Sequence, residues 1–215
     1  MKKPKIALFI HNPEASRRCC NGMIKVLSEH YDIKLFTEHE CNSKTFKNID
    51  IIAFPGGIGD ADKYDEFFRR KSANVVADFI GNGGKYLGVC MGGYWAGHHY
   101  FDILDGINVV QYIKRPTSEI KRSYATIADV LWEGEAHSSY FYDGCTFIGD
   151  QKKFDTYATY SNGDPMAIIQ NGIGLVGCHL ESNEGWYDKK YLKPYWHKGI
   201  QHPLLLNFVD LLMQY

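Results

Sequence analysis

The sequence has no long apolar run: nothing in it approaches the roughly 18 consecutive apolar residues of a membrane-spanning helix. It also lacks an excess of charge of either sign, with 24 Lys and Arg against 25 Asp and Glu. Without a broad basic field, neither nucleic acid nor an anionic membrane surface is an expected partner. Paired cysteine spacing is missing too. Cys19, Cys20, Cys41, Cys90, Cys145 and Cys178 form no C-x-x-C pair and no zinc-ligand spacing, and a 215-residue chain needs no disulfide staples, so free thiols are expected. The N-terminal MKKPKIALFIHNPE has two lysines before an apolar run, but IALFI is too short for a signal-peptide core and His11-Asn12-Pro13-Glu14 stands where a small-residue cleavage site belongs. A soluble, cytoplasmic protein is expected. No internal repeat, low-complexity tract or linker divides the chain, so residues 1–215 read as one domain long enough to bury well over half of its unfolded surface.

What is present in the first half is an alternation of strand and helix patterns, the mark of a parallel sheet. Lys5–Ile10 is a near-continuous apolar strand. Glu14–His30 reads as a helix with Met23, Ile24, Val26 and Leu27 as its apolar stripe. Ile33–Phe36 and Asp50–Phe54 follow as strands, the second stopped by Pro55-Gly56-Gly57. Asp65–Ile80 reads as a helix ended by Gly81-Asn82-Gly83-Gly84, then come strand Tyr86–Val89 and a helix from Gly92 to about Phe101. The second half carries short β-branched runs at 108–113, 124–130, 145–148, 156–160, 167–170 and 174–178, which suit antiparallel strands. Pro203–Met213 reads as a closing helix. The fold class is therefore α/β: a three-layer, doubly wound, mainly parallel sheet with antiparallel additions in the second half.

The segment Gly88-Val89-Cys90-Met91-Gly92 is G-x-C-x-G, the logic of a nucleophile elbow. A buried strand ends, the chain turns onto a helix, and glycines two before and two after the apex permit close approach. The apex meets the unpaired N–H groups of a helix start, which favour a thiolate. Free cysteine is often an ordinary core residue, but the carboxyl end of a central strand is where open α/β sheets bind ligands, and that position favours a functional Cys90. A thiol nucleophile needs a base and a group to orient it. "GLVGCHLES" supplies both: a strand over 174–178 ends in His179, and if the chain stays extended, period-two alternation puts Glu181 on the same face. The N–H of Met91 is one oxyanion donor by geometry, and Gly57, ending the strand expected beside that of Cys90, supplies the other.

These residues resemble the class I glutamine amidotransferase-like superfamily, whose Cys-His-Glu triad is laid out as G-x-C-x-G followed far downstream by H-x-E at a strand end. The closer likeness is to the amidotransferase-like domain found at the N-terminus of eukaryotic biotin protein ligases and as stand-alone bacterial proteins. "PGGIGDADKY", "GGKYLGVCMGGYWAG", "YFYDGCTF" and "ATYSNGDPMAIIQNGIGLVGCHLES" stand in order as that domain's landmarks, over about residues 5 to 182. The resemblance implies catalytic roles for Cys90, His179 and Glu181, and a cleft bordered by Asp62 and Tyr64. Amidotransferases that hydrolyse glutamine carry Gln four residues after the nucleophile; Tyr94 stands there, so an amide substrate is implied but glutamine is not singled out, and Tyr94 would shape the pocket. Leu180 replaces the usual proline between His and Glu. Nothing resembles a biotin ligase catalytic domain.

Other candidates carry blander readings. His98-His99, adjacent on a helix, point about 100° apart and make poor joint ligands; Glu133, Glu135 and His137 fit a solvated strand face; so no metal is expected, and no cofactor is implied. Trp186, Tyr187, Tyr191, Tyr195 and Trp196 fit aromatic packing of an irregular loop, with a lid or dimer patch as the alternative. The function expected is a cysteine-dependent amidase on a small-molecule amide or metabolite, with a homodimer or a synthetase partner compatible with the resemblance. The alternative is a catalytically silent binding or regulatory module on the same fold; an elbow-cysteine peptidase or chaperone-like protein is less consistent with H-x-E so far downstream.

Overall fold

The computed structural model describes residues 3–10, 15–57 and 72–215. Eleven strands and four α-helices are laid out in it: β1 Lys5–Phe9, α1 Ala15–Leu27, β2 Asp32–Phe36, β3 Ile51–Phe54, α2 Ser72–Gly81, β4 Lys85–Val89, α3 Met91–Trp95, β5 Ile107–Gln111, β6 Thr126–Trp132, β7 Glu135–Phe141, β8 Cys145–Gly149, β9 Asp155–Tyr160, β10 Pro165–Gln170, β11 Ile173–Val176 and α4 His202–Leu212. Nine strands form one sheet in the order β2-β1-β3-β4-β11-β10-β9-β6-β7, and β5 pairs with β8 separately. The run β2 to β11 is parallel, and the strands from β10 outward are antiparallel. The mainly parallel sheet with antiparallel additions is thus the observed architecture.

Period-two alternation along the central strands sorts side chains into two cores. Ile6 and Leu8 of β1, Ile51 and Ala53 of β3, and Leu87 and Val89 of β4 face the layer of α1 and α4, meeting Met23, Leu27, Phe208 and Leu212. Ala7 and Phe9, Ile52 and Phe54, and Tyr86 face the other layer, made by α2, α3 and the β5–β8 pair. Phe54 anchors that second layer: its ring lies 5.4 Å from Tyr86, 5.5 Å from Trp95 and 5.0 Å from Phe101. Truncating such a buried ring to alanine costs about 3–5 kcal/mol. No helix among the described residues is long and apolar enough to cross a membrane.

Three elements differ from the sequence reading. The helix expected from Gly92 to Phe101 spans only Met91–Trp95; the chain then folds back, with the Phe101 N–H donating to the Trp95 carbonyl (2.9 Å) so that Phe101 joins the Phe54 cluster. Glu135 and His137, expected on a solvated strand face but in none of the expected strand runs, lie on an edge strand, β7, paired with β6 over its whole length. Its turn, Glu133-Gly134, has φ of 48° and 90°, the two positive values of a type I′ hairpin. The strand expected over 174–178 ends at Val176, which changes how His179 is placed. Of the helix expected over 65–80, the part before Ser72 lies outside the described residues, as do Asp62 and Tyr64.

Candidate active site

The site is built where β4 and β11 end side by side. Val89 is in register with Val176, and the Cys90 N–H donates to the Val176 carbonyl at 2.7 Å, locking the two strand exits together. Cys90 itself has φ 51° and ψ −104°, a conformation that side-chain-bearing residues rarely adopt and that surrounding structure must hold in place. What holds it is close backbone packing that only glycine allows. A Cβ on Gly88 would lie 2.4 Å from the Gly92 carbonyl oxygen, and one on Gly92 would lie 2.0 Å from the Phe54 carbonyl oxygen. The buried Tyr86 hydroxyl donates to the Gly92 carbonyl at 2.7 Å. The G-x-C-x-G spacing is therefore a packing requirement of the elbow.

His179 reaches Cys90 by a route other than a continuous strand. After β11 the chain leaves the ladder, and the His179 N–H donates to the Tyr140 carbonyl at 3.0 Å in an isolated antiparallel bridge to β7. The Ser182 N–H then returns to the His179 carbonyl at 3.2 Å. This turn brings His179 Nδ1 to 2.9 Å from Glu181 Oε1, both residues being buried. The pairing expected from period-two alternation is present, but a bridge and a turn produce it. Glu181 fits because α1 carries a glycine opposite it: a Cβ on Gly22 would lie 2.8 Å from Glu181 Cγ. Tyr140 and Trp186 pack on the imidazole with ring centroids at 5.9 Å and 5.1 Å.

Burial opposes charge on the His179 ring, but its electrostatic interaction with Cys90 and Glu181, with hydrogen bonds to Cys19 and Cys90, outweighs that and holds its pKa well above the ordinary histidine value. The Cys90 sulfur lies 3.7 Å from the Tyr142 carbonyl. The next two carbonyls of that turn, Asp143 and Gly144, accept from the Tyr94 hydroxyl at 3.0 Å and 3.1 Å, and Asp143 is held in turn by Gln111 Nε2 at 3.0 Å. Tyr94 thus stands beside the thiol with its polar end committed to the backbone. Gly56 is the tightest point of the site: a Cβ there would lie 2.4 Å from His179 Cε1, 3.1 Å from Cys19 Sγ and 3.3 Å from Cys90 Cβ. Gly57, the expected second oxyanion donor, is the next residue along; Met91 follows Cys90 as the first residue of α3.

Residues 11–110 match the family model described as biotin-protein ligase, N terminal. No curated protein sequence matches the chain. Solved structures do: a glutamine amidotransferase from Thermotoga maritima superposes with a TM-score of 0.72 at 10% identity, covering 100% of both chains. The fold is that of the class I glutamine amidotransferases. PurLQS from Thermotoga maritima shares this amidotransferase-like fold at TM-score 0.68 and 12% identity, over 98% of this chain and 100% of that one. So does a putative GMP synthase subunit from Thermoplasma acidophilum, at 0.65 and 14%, over 100% of this chain and 96% of that one.

On this amidotransferase-like fold, the remaining sequence candidates disperse. His98 and His99 are exposed, His98 pairing with Asp102 at 3.1 Å on the surface. Glu133 sits in the exposed β6–β7 turn. Trp186 and Tyr187 are buried against Tyr140, whereas Tyr191 and Tyr195 are about half exposed. Sequence reasoning missed Cys19, Gly56 and the Tyr142-Asp143 turn. Cys19 gave no signal, because its spacing to His179 in the chain is arbitrary; burial pushes its thiol up to about 11 against the opposing pull of His179. The turn did lie within the family landmark YFYDGCTF.

Proposed function

We propose that this chain is a cysteine-dependent amide hydrolase with Cys90 as nucleophile, His179 as proton shuttle and Glu181 as the residue that orients His179. The observation that carries the reading is the strained Cys90 apex beside a buried His179–Glu181 pair at 2.9 Å. The Cys90 sulfur attacks the amide carbonyl and the C=O electron pair moves to oxygen, where the N–H groups of Met91 and Gly57 receive it. Collapse of that adduct breaks the C–N bond, with the proton from the thiol passing through His179 to the departing amine. Water then attacks the Cys90 thioester with His179 as base, releasing the acid and regenerating the thiol. Glu181 keeps the imidazole in the orientation both steps need.

Tyr94 supports a substrate other than free glutamine. Its hydroxyl is already bound to two carbonyls, so it offers a flat aromatic wall where glutamine-hydrolysing relatives offer a carboxamide. Water is the acyl acceptor, and the released amine leaves to solvent or passes to a synthetase partner, in keeping with the likeness to PurLQS and to a GMP synthase subunit; a homodimer is compatible with the same reading. None of the six cysteines, all within the described residues, is in a disulfide, which supports a reducing, cytoplasmic setting, and the nine-stranded sheet joining strands from Lys5 to Val176 supports one folded unit. A second reading, a silent binding module, draws on the same committed Tyr94 hydroxyl. A screen of small amides for amine release decides between them: parent protein turns over one of them through a Cys90 thioester visible by intact mass, and Cys90→Ser does not. Equal release by Cys90→Ser, or none by the parent alongside an unreactive Cys90, removes the hydrolase reading.

A further inference from the structure

Cys19 is a second thiol at the site, and the amide chemistry has no use for it. It comes from α1, a different layer from the elbow, and its sulfur, a ring nitrogen of His179 and a carboxylate oxygen of Glu181 lie within 4.8 Å of one another, all three residues buried. We propose that Cys19, His179 and Glu181 form a binding site for one thiophilic divalent cation of the Zn2+ class, drawing on the same imidazole and carboxylate as the proposed catalytic pair.

Four observations support it. The donor set is one sulfur, one imidazole and one carboxylate, which suits Zn2+ with a fourth position left open and does not suit Mg2+ or Ca2+, which take oxygen ligands. Glu181 Oε1 is occupied by His179, but Glu181 Oε2 is buried with no hydrogen-bond partner among the described residues. A buried carboxylate oxygen left unpaired is costly, and a cation removes that cost. Zn–S and Zn–N distances of about 2.3 Å and 2.0 Å put tetrahedral donors about 3.5 Å apart, so donors within 4.8 Å of one another need close in only modestly. Finally, glycine at position 56 lets His179 and Cys19 sit side by side: any side chain there would strike His179 Cε1 and crowd Cys19 Sγ. Cys90 is not a member of this donor group. The sequence held no hint of this site because its ligands come from segments far apart in the chain.

Metal held this way occupies the imidazole that the reaction needs, so Zn2+ switches the enzyme off; that consequence alone rests on the proposed function. Binding itself is read without substrate, so the two ideas fail separately. The full-length chain, stripped with a chelator under reducing conditions, is titrated with Zn2+ against a chromophoric chelator and then with Co2+ by absorbance. The expected result is one metal per chain and a thiolate-to-cobalt charge-transfer band. Cys19→Ser, and Cys19→Ala should the serine variant fold poorly, weakens binding by at least about 100-fold and removes the band, while Cys20→Ser and Cys90→Ser keep both. A parent protein that binds no metal overturns the proposal. So does an unchanged band in both Cys19 variants, or a band that disappears with Cys90→Ser instead.

Discussion

His179 Nδ1 lies 2.9 Å from Glu181 Oε1, with Glu181 fully buried and Gly22 of α1 packed against its side chain. A carboxylate so placed fixes which ring nitrogen carries the proton and leaves the other free to face a thiol. Glu181→Gln preserves the shape and removes the charge. Amide turnover is expected to fall by about 10²–10⁴-fold, with the loss in kcat rather than in KM. A variant that raises KM and leaves kcat unchanged would assign Glu181 to substrate binding.

Gly56 is a test of packing rather than of chemistry. A methyl group there meets His179 Cε1 at 2.4 Å, and neither the bridged His179 backbone nor the buried ring can yield easily. Gly56→Ala is expected to destabilise the fold by about 1–3 kcal/mol and to slow Cys90 alkylation by displacing the imidazole. Urea unfolding and peptide-mapped alkylation check the two effects. Full stability with normal Cys90 reactivity would show that the strand exit relaxes freely.

Away from the site, Asp164 accepts from Arg115 Nε at 2.8 Å and from Asn162 Nδ2 at 2.9 Å. Burial raises its pKa, but the Arg115 and Asn162 hydrogen bonds outweigh that and hold the carboxyl below the usual aspartate value. A folded-state pKa below the unfolded one contributes stability that is present above the unfolded value, near 3.9, and is lost as pH falls through the folded value. Arg115 is about a third exposed, so solvent screening limits the pair to about 1 kcal/mol. Asp164→Asn is expected to be less stable than the parent by that amount at neutral pH, with the gap closing as pH falls below about 4. Denaturant unfolding of both proteins across pH measures it; a gap that persists in acid contradicts the ion-pair account.

The parallel half of the fold was legible because its inner strands, β1, β3, β4 and β11, are buried on both faces, and glycine or proline punctuates them, as with Ile51–Phe54 before Pro55. Cys90 was legible for the same reason: G-x-C-x-G encodes steric contacts made within one short segment and with the neighbouring strand. β7 was legible only as a solvated strand face at Glu135 and His137, not over its full length, because Glu135, Ala136 and Ser138 give no apolar alternation. Its turn, Glu133-Gly134, also lacks the Asn-Gly signal that marks the β10–β11 hairpin at Asn171-Gly172. The His179–Glu181 pair was found through a spacing rule whose premise, an extended chain, does not hold past Val176. Cys19 and Gly56 were invisible in the sequence, since their proximity to His179 is a product of layer packing between α1, β3 and β11.

The most direct test of the account is the rate at which iodoacetamide modifies Cys90 at neutral pH, located by peptide mapping, in the parent protein and in His179→Ala. Exposure alone ranks Cys41 first, since it is half-buried while Cys90 is 4% exposed. The account predicts the reverse order, with Cys90 the fastest of the six thiols and at least about tenfold slower once His179 is removed. A Cys90 that reacts no faster than Cys41, or equally fast without His179, contradicts an assembled Cys90–His179 pair and leaves the silent binding module as the reading.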